Sequence, residues 1–161
     1  MKTRKSGFTL VEILIVVIIL GILAAIIIPQ FTDASTSAKE SSLTSNLQTL
    51  RSQIGLYKIQ HNDNYPDTTS NDAFVTCLTT VTDVDGVAWV DQATSGTPYG
   101  PYMPNVPDNP FIAADVDFFS FGVIPAAGTD TSHWIFDADT GAIAPNDSGI
   151  CQDDVTLHVE L

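Results

Sequence analysis

The sequence predicts an α+β fold, in which a long N-terminal helix with a membrane half and an amphipathic half packs on a small C-terminal antiparallel β-sheet. Three features of the 161-residue chain indicate this fold. Residues 8–28 are almost continuously apolar, and an apolar stripe with helical spacing follows them. The last third of the chain carries short aromatic and β-branched segments separated by Gly, Pro and Asp, as antiparallel strands do.

The apolar segment 8–28 is long enough to cross a membrane as a helix. Eighteen of its twenty-one residues are apolar, and at 1.5 Å per residue they span about 31 Å, the thickness of the hydrocarbon core. Lys2, Arg4 and Lys5 precede the segment, so the positive-inside rule places the N-terminus in the cytoplasm and the later chain outside it. A secretory signal peptide is the alternative, but its apolar region is shorter and ends in an A-x-A-type site, which IIIPQFTDA fits poorly.

Glu12 is the exceptional residue of this segment. A carboxylate inside a bilayer costs up to a few kcal/mol, and such residues are functional hypotheses by default. Two interpretations are open from the residues alone. The side chain either reaches the cytoplasmic headgroups or pairs with a cation of another chain.

An apolar stripe continues the helix beyond the membrane segment. It has spacings of four and three residues, typical of one helix face, and consists of Leu43, Leu47, Leu50, Ile54 and Tyr57. The turn formers HNDNYP end the helix around 61–64. Residues 71–80 predict a short second helix, capped by Ser70 or Asn71.

The remaining elements are extended. Prolines at every third position from 98 to 110 predict a structural loop, rather than a ligand for an aromatic-lined groove. The strand candidates are Val116–Ile124, His133–Asp137, Ala142–Ala144 and Val155–Leu161. The segment Asp137–Gly141 is short enough to join two of them as a hairpin.

Charge is distributed unevenly along the chain. Six Lys and Arg stand against nineteen Asp and Glu, which gives a formal charge of −13, and no Lys or Arg follows Lys58. Nucleic-acid binding needs clustered basic side chains, so the sequence argues against it.

The string KSGFTLVEILIVVIILGILAAIIIPQF resembles the class III leader and N-terminal helix of type IV pilins and of the pseudopilins of type II secretion. A short basic leader ends at Gly7, Phe8 follows it, and Glu12 is the fifth residue counted from Phe8. The spaced prolines and the aromatic segment before the 137–141 hairpin also resemble major pseudopilins, which makes these the closer match.

This resemblance implies that a membrane prepilin peptidase cuts between Gly7 and Phe8 and then N-methylates Phe8. It implies that Glu12 meets the Phe8 amine of a neighbouring subunit, which favours pairing over contact with headgroups. It also implies loss of helix between Gly21 and Pro29 when subunits pack in a filament. Without the leader, three basic and nineteen acidic side chains remain, a formal charge of −16.

The implied organisation has four parts. Residues 1–7 are a leader peptide, 8–28 the transmembrane and filament-core helix, 29–62 its amphipathic continuation and 63–161 an extracytoplasmic globular domain. The expected function is that of a structural subunit of a type II secretion pseudopilus, polymerising with itself at the bacterial inner membrane to drive protein export. Its expected partners are prepilin peptidase, minor pseudopilins and the inner-membrane assembly platform. The alternatives are a type IV pilus major pilin for adhesion or motility, and a membrane-anchored calcium- or ligand-binding domain.

The sequence contains no local catalytic signature and no P-loop, so we expect no enzyme activity and no organic cofactor. Cys77 and Cys151 are its two cysteines. They predict one disulfide if the domain lies in an oxidising compartment, with two reduced buried thiols as the alternative. Two isolated cysteines do not make a zinc motif.

Calcium is the strongest candidate ligand. The carboxylate pairs Asp83/Asp85 and Asp137/Asp139 offer the oxygen ligands that Ca²⁺ prefers, but neither completes a D-x-[DN]-x-[DN]-G loop. Turn-forming acids are the simpler interpretation. Some major pseudopilins bind calcium in a C-terminal loop, so the resemblance keeps a calcium site open.

Overall fold

A computed structural model of the protein describes residues 7–88, 98–151 and 156–161. Its elements are helix α1 (Leu10–Gln60), helix α2 (Asn71–Thr79), strands β1 (Asp117–Phe121), β2 (Ser132–Phe136) and β3 (Ile143–Pro145), and a 3₁₀ helix (His158–Glu160). The predicted α+β class is confirmed. The chain divides into two compact units, with the boundary between Ala38 and Lys39.

Helix α1 is the one helix of the described chain that is long and apolar enough to cross a membrane. It contains Pro29 and ends at Gln60. Directly after its end, Asn62 and Asp63 have φ angles of 53° and 65°, a left-handed conformation in which Asn and Asp are enriched. The predicted helix end is therefore confirmed, and the turn formers of HNDNYP explain it.

The core of the second unit forms on the predicted stripe of α1. All five stripe residues are buried, and they pack against α2, the proline-rich loop and the sheet. Helix α2 begins at the predicted cap, where the Ser70 hydroxyl accepts a hydrogen bond from the Ala73 N–H. Its Phe74 is fully buried and contacts the rings of Phe119 and Phe136. The helical period of the sequence thus identified the face on which the domain is built.

The sheet is mixed, which corrects the prediction of an antiparallel sheet. Its strand order is β1-β2-β3, with β1 parallel to β2 and β2 antiparallel to β3. The ten residues 122–131 connect β1 to β2 and carry the chain back to the edge of the sheet at which β1 began, since parallel strands cannot be joined by a tight hairpin turn. The hairpin between β2 and β3 is confirmed, with Asp137 and Ala142 joined by an N–H···O bond of 2.9 Å.

The predicted strand over Val155–Leu161 is also wrong in the part that the structure describes. Leu157 forms an isolated bridge with Ile150, and His158–Glu160 is a 3₁₀ helix. The N–H groups of Glu160 and Leu161 donate to the carbonyls of Leu157 and His158 at 3.0 and 3.1 Å. These bonds to the third residue back are those of a 3₁₀ turn, so the alternating sequence pattern was misleading here.

The segment 98–110 is a structural loop, as the proline spacing predicts. Its Met103 and Val106 side chains are buried in the core of the second unit. The backbone N–H groups of Tyr102 and Met103 donate to the Leu78 carbonyl at the end of α2, and the Trp134 indole N–H donates to the Pro107 carbonyl. These bonds hold the loop between α2 and the sheet.

Candidate functional site

The residues of the predicted processing site lie before α1 and are exposed. Gly7 is the first residue that the structure describes, and Phe8 exposes 81% of its surface. A Cβ added to Gly7 meets no described atom within 4 Å. The fold of this segment therefore does not itself require glycine at position 7.

Glu12 forms a capping box with Thr9. The Thr9 backbone N–H and hydroxyl donate to Glu12 Oε2 at 2.9 and 2.8 Å, and the Glu12 N–H donates to the Thr9 hydroxyl at 3.3 Å. Reciprocal bonds of this kind satisfy backbone N–H groups that a helix start leaves without partners. Sequence reasoning missed Thr9, although the T-x-x-E pattern before an apolar run indicates such a cap.

The apolar side chains of the first unit are exposed along the helix. Every large hydrophobic residue from Leu10 to Ile28 exposes about half of its surface or more, with the extremes at Leu10 (82%) and Leu23 (48%). Exposed apolar patches of this size mark surfaces that another molecule or a membrane covers. Gly21 lies within this surface, and a Cβ there meets no described atom within 4 Å.

The four calcium candidates lie in two tight turns. Asp83 Oδ1 accepts hydrogen bonds from the N–H groups of Asp85 and Val87, and Asp137 Oδ1 accepts one from the N–H of Asp139 at 2.9 Å. Both aspartates thus act as the turn-forming residues of the simpler interpretation. Neither pair belongs to a group of three or more His, Cys, Asp or Glu ligands within the described ranges. Calcium binding stays a prediction.

The turn at Asp137 predicts a pH-dependent contribution to stability. The Thr140 side chain, assisted by the backbone N–H groups of Asp139 and Thr140, holds the pKa of Asp137 below its ordinary value. The folded-state pKa then lies below the unfolded-state value of about 3.9, so the ionised carboxylate stabilises the fold above that pH. This stabilisation is lost as the pH falls through the folded-state pKa. We expect Asp137→Asn to lower the Tm at neutral pH.

Thermal melts followed by circular dichroism across the acid range measure this effect. The difference between wild type and Asp137→Asn should shrink as the pH falls, while the exposed Asp139→Asn serves as a control with little effect at any pH. A difference that stays constant down to the lowest pH would contradict the role of the Asp137 charge.

The two cysteines lie in separate places, which corrects the predicted disulfide. Cys77 packs in the core beside Tyr57, whereas the Cys151 sulfur lies within 4.8 Å of ligand atoms of Glu40 and His158. Glu40 and Tyr57 are seventeen positions apart on α1, which corresponds to a rise of about 25 Å. A disulfide requires Cα atoms within about 7 Å, so the structure holds two separate thiols.

A buried polar network connects the proline-rich loop to the C-terminal segment, and sequence reasoning missed it. Asn109 donates its N–H to His133 Nδ1 at 3.0 Å and its amide NH₂ to Asp147 Oδ2 at 2.7 Å. Asp147 Oδ1 contacts His158 Nδ1 at 2.5 Å, and all four side chains are buried. The four residues share no local motif, because only the fold brings them together.

The first comparison with known proteins concerns the N-terminal segment. Residues 2–28 match the family described as the prokaryotic N-terminal methylation motif. Together with the α+β fold and the exposed apolar helix, this match defines the class as a pilin-like protein that is anchored in a membrane by its N-terminal helix.

Relatives over most of the length identify the family. The type II secretion system core protein G of Aeromonas hydrophila is 32% identical over 136 residues, which cover 80% of this chain and 90% of that protein. The core protein G of Pectobacterium carotovorum subsp. carotovorum is 31% identical over 143 residues, 83% of this chain and 87% of that protein. The chain belongs to the family of type II secretion system core protein G, the major pseudopilins.

The comparisons also bear on the type IV pilus alternative. The type IV narrow pilus major component PilA5 of Thermus thermophilus is 37% identical over 57 residues, but these cover only 35% of this chain and 49% of that protein. The longer matches therefore favour the pseudopilin prediction. No solved structure gives a significant match.

Proposed function

We propose that this chain is the major subunit of a type II secretion pseudopilus and drives protein export by polymerising through its N-terminal helix. The observation that supports this proposal is the exposed apolar surface from Phe8 to Phe31. A bilayer covers such a surface in the membrane-bound subunit, and the same surface on neighbouring copies covers it in a filament. Subunits then move from membrane to filament without exposing apolar surface to water.

Processing prepares the subunit for this transfer. In the proposed reaction a prepilin peptidase hydrolyses the peptide bond between Gly7 and Phe8, so that the leader leaves with the new carboxylate and Phe8 keeps the new amine. A methyl group from a methyl donor then replaces one amine hydrogen. The exposed position of Gly7 and Phe8 before the helix makes this bond accessible. Because the cut precedes the apolar segment, the mature subunit keeps its anchor.

Glu12 then holds neighbouring subunits in register. Both bonds from Thr9 go to Glu12 Oε2, which leaves Oε1 to accept a hydrogen bond from the Phe8 amine of another copy. A buried charge is tolerated when it is paired and hydrogen-bonded, and removal of one partner then costs several kcal/mol. Pairing of Glu12 with that amine therefore selects the correctly staggered neighbour.

The topology and the other partners follow from this function. The basic residues before Phe8 place the N-terminus in the cytoplasm, and the second unit then lies on the periplasmic side of the inner membrane. The other proposed partners of the subunit are the inner-membrane assembly platform and the minor pseudopilins.

Valine at position 7 is expected to block processing without disturbing the fold. No described atom lies within 4 Å of a side chain added at Gly7, so a defect would arise at the peptidase. We expect Gly7→Val to accumulate as a full-length, unmethylated precursor, and mass spectrometry of the membrane fraction measures this. As a matched control, Gly55→Ala adds a side chain in equally open space on α1 and should be processed normally. Cleavage of Gly7→Val at the wild-type rate would contradict this prediction.

Deletion and electron microscopy test the proposed function as a whole. Loss of the chain should stop the export of secreted enzymes, and its overproduction should yield filaments in sheared-cell fractions. Loss of surface fibres or twitching motility, with export intact, would instead support the type IV pilus alternative. If the deletion caused neither phenotype, both filament functions would be contradicted.

A further inference from the structure

We propose that Glu40, Cys151 and His158 form a binding site for a zinc-type divalent metal ion. The site lies wholly within the second unit, where it links α1 to the C-terminal segment. The proposed metal site goes beyond the proposed filament assembly, and the two proposals do not depend on each other.

The geometry of the three side chains carries the proposal. Their carboxylate oxygen, thiol sulfur and imidazole nitrogen all lie within 4.8 Å of one another. Glu40 Oε1 and His158 Nε2 are 3.9 Å apart, too far for a hydrogen bond. This distance is less than twice the usual zinc–ligand distance of about 2.0–2.2 Å, so one ion can contact both atoms. A tetrahedral ion would draw the ligand atoms to separations of about 3.3–3.6 Å.

The same two atoms are buried without a partner. Glu40 Oε1 and His158 Nε2 are inaccessible to solvent and make no hydrogen bond within the described chain, while the His158 residue as a whole is only 1% exposed. Buried polar atoms are almost always satisfied, and each exception calls for an explanation such as an ion. A metal ion between them satisfies both.

Asp147 orients His158 as the partners of metal-binding histidines do. Asp147 Oδ1 contacts His158 Nδ1 at 2.5 Å and also accepts the Gly149 N–H. Its other oxygen accepts the amide NH₂ of Asn109. A histidine that donates Nδ1–H to a carboxylate presents the lone pair of Nε2, which is the arrangement seen at zinc sites. In a neutral His158 this lone pair faces a carboxylate oxygen of Glu40, and a metal ion between the two acceptor atoms would bind both.

The donor set selects the metal. Nitrogen, sulfur and carboxylate oxygen together suit Zn²⁺, whereas Ca²⁺ takes six to eight oxygen ligands. Three protein ligands leave one tetrahedral position for a water molecule. An ion bound there would fix the C-terminal segment, through Cys151 and His158, to Glu40 on α1.

Metal titration of the full-length protein in detergent tests the proposal. After EDTA treatment and dialysis, ZnCl₂ should bind with one ion per chain in isothermal titration calorimetry and raise the Tm, and excess CaCl₂ should not displace it. Co²⁺ in place of Zn²⁺ should give a thiolate-to-cobalt charge-transfer band, which reports Cys151 directly in the folded wild type.

Variants assign the ligands. Cys151→Ser and His158→Gln should each weaken zinc binding by at least about 100-fold, and Asp147→Asn by about 10–100-fold. The matched controls Cys77→Ser and Glu160→Gln should bind as the wild type does, and circular dichroism confirms that each variant is folded.

Three outcomes would overturn the proposal. They are failure of the folded wild type to bind zinc, a cobalt complex without the thiolate band, and unchanged binding by a folded Cys151→Ser variant. In the first case the close approach of His158 and Glu40 is not a metal site. Filament formation and export are separate readouts, so this result would leave the proposed function intact.

Discussion

Replacing Glu12 by alanine or leucine is expected to leave the protein inserted in the membrane but to abolish filaments. The apolar helix keeps its length and gains apolar character, so insertion is unaffected. The Phe8 amine of each neighbouring copy, in contrast, loses its carboxylate partner in a low-dielectric environment, which costs several kcal/mol per contact. Filament yield in sheared-cell fractions, normalised to the membrane-bound protein, measures the effect and should fall at least tenfold.

The capping box makes a matched control possible. Glu12 both caps its own helix and, in the proposed filament, pairs with another chain. Thr9→Ala removes the hydroxyl of the capping box but keeps the carboxylate, so it should weaken the helix start by only about 0.5–2 kcal/mol and still assemble. If Thr9→Ala abolished filaments as completely as Glu12→Ala, the cap rather than the pairing would explain the defect. Normal filaments from Glu12→Leu would exclude pairing altogether.

The helical half of the fold could be predicted from the sequence because its signals are local. The apolar stripe from Leu43 to Tyr57 needs only a period of 3.6 residues to indicate a buried face, and all five of its residues are buried. The end of α1 and the cap of α2 at Ser70 likewise follow from the residues at those positions. In each case the neighbouring residues alone were sufficient to predict the local structure.

The sheet could be predicted only in part, because strand direction depends on contacts between distant residues. Alternation and aromatic content identified β1 and β2, but nothing in the residues of Asp117–Phe121 says that this strand runs parallel to the next. In the C-terminal segment, too, a contact with a distant residue decides the local structure. His158 is drawn into a buried cluster by Asp147, and this partner overrides the β propensity of its neighbours.

The candidate functional residues also fall into those that a local sequence pattern indicates and those that only the fold brings together. Glu12 and the Gly7–Phe8 bond could be proposed from the sequence because the family motif is contiguous, and their roles stay predictions. Thr9 was open to the same reasoning through its T-x-x-E spacing. The group Glu40, Cys151 and His158 could not be found, because its members are separated by most of the domain and match no short ligand motif. An even count of cysteines predicts that the two pair with each other, whereas the fold gives each a different environment.

Truncation of Trp134 to alanine is expected to be the most destabilising single change in the second unit. Trp134 is fully buried on β2, and its indole N–H donates to the Pro107 carbonyl at 2.8 Å. The variant loses the packing of the largest core side chain and leaves a cavity between the sheet and the proline-rich loop. We expect the free energy of unfolding to fall by about 3–5 kcal/mol, a large share of the 5–15 kcal/mol typical of a domain.

Two further variants separate packing from hydrogen bonding at this position. Trp134→Phe keeps an aromatic ring but removes the indole N–H, so the Pro107 carbonyl loses its partner and we expect a smaller loss of about 1–3 kcal/mol. Val123→Ala, at a residue that is 79% exposed, should change stability by less than about 0.5 kcal/mol. Chemical denaturation followed by far-ultraviolet circular dichroism measures all three without relying on tryptophan fluorescence. A loss below about 1 kcal/mol for Trp134→Ala would mean that the loop and the sheet do not depend on this contact, and the core would then be held mainly by the stripe of α1.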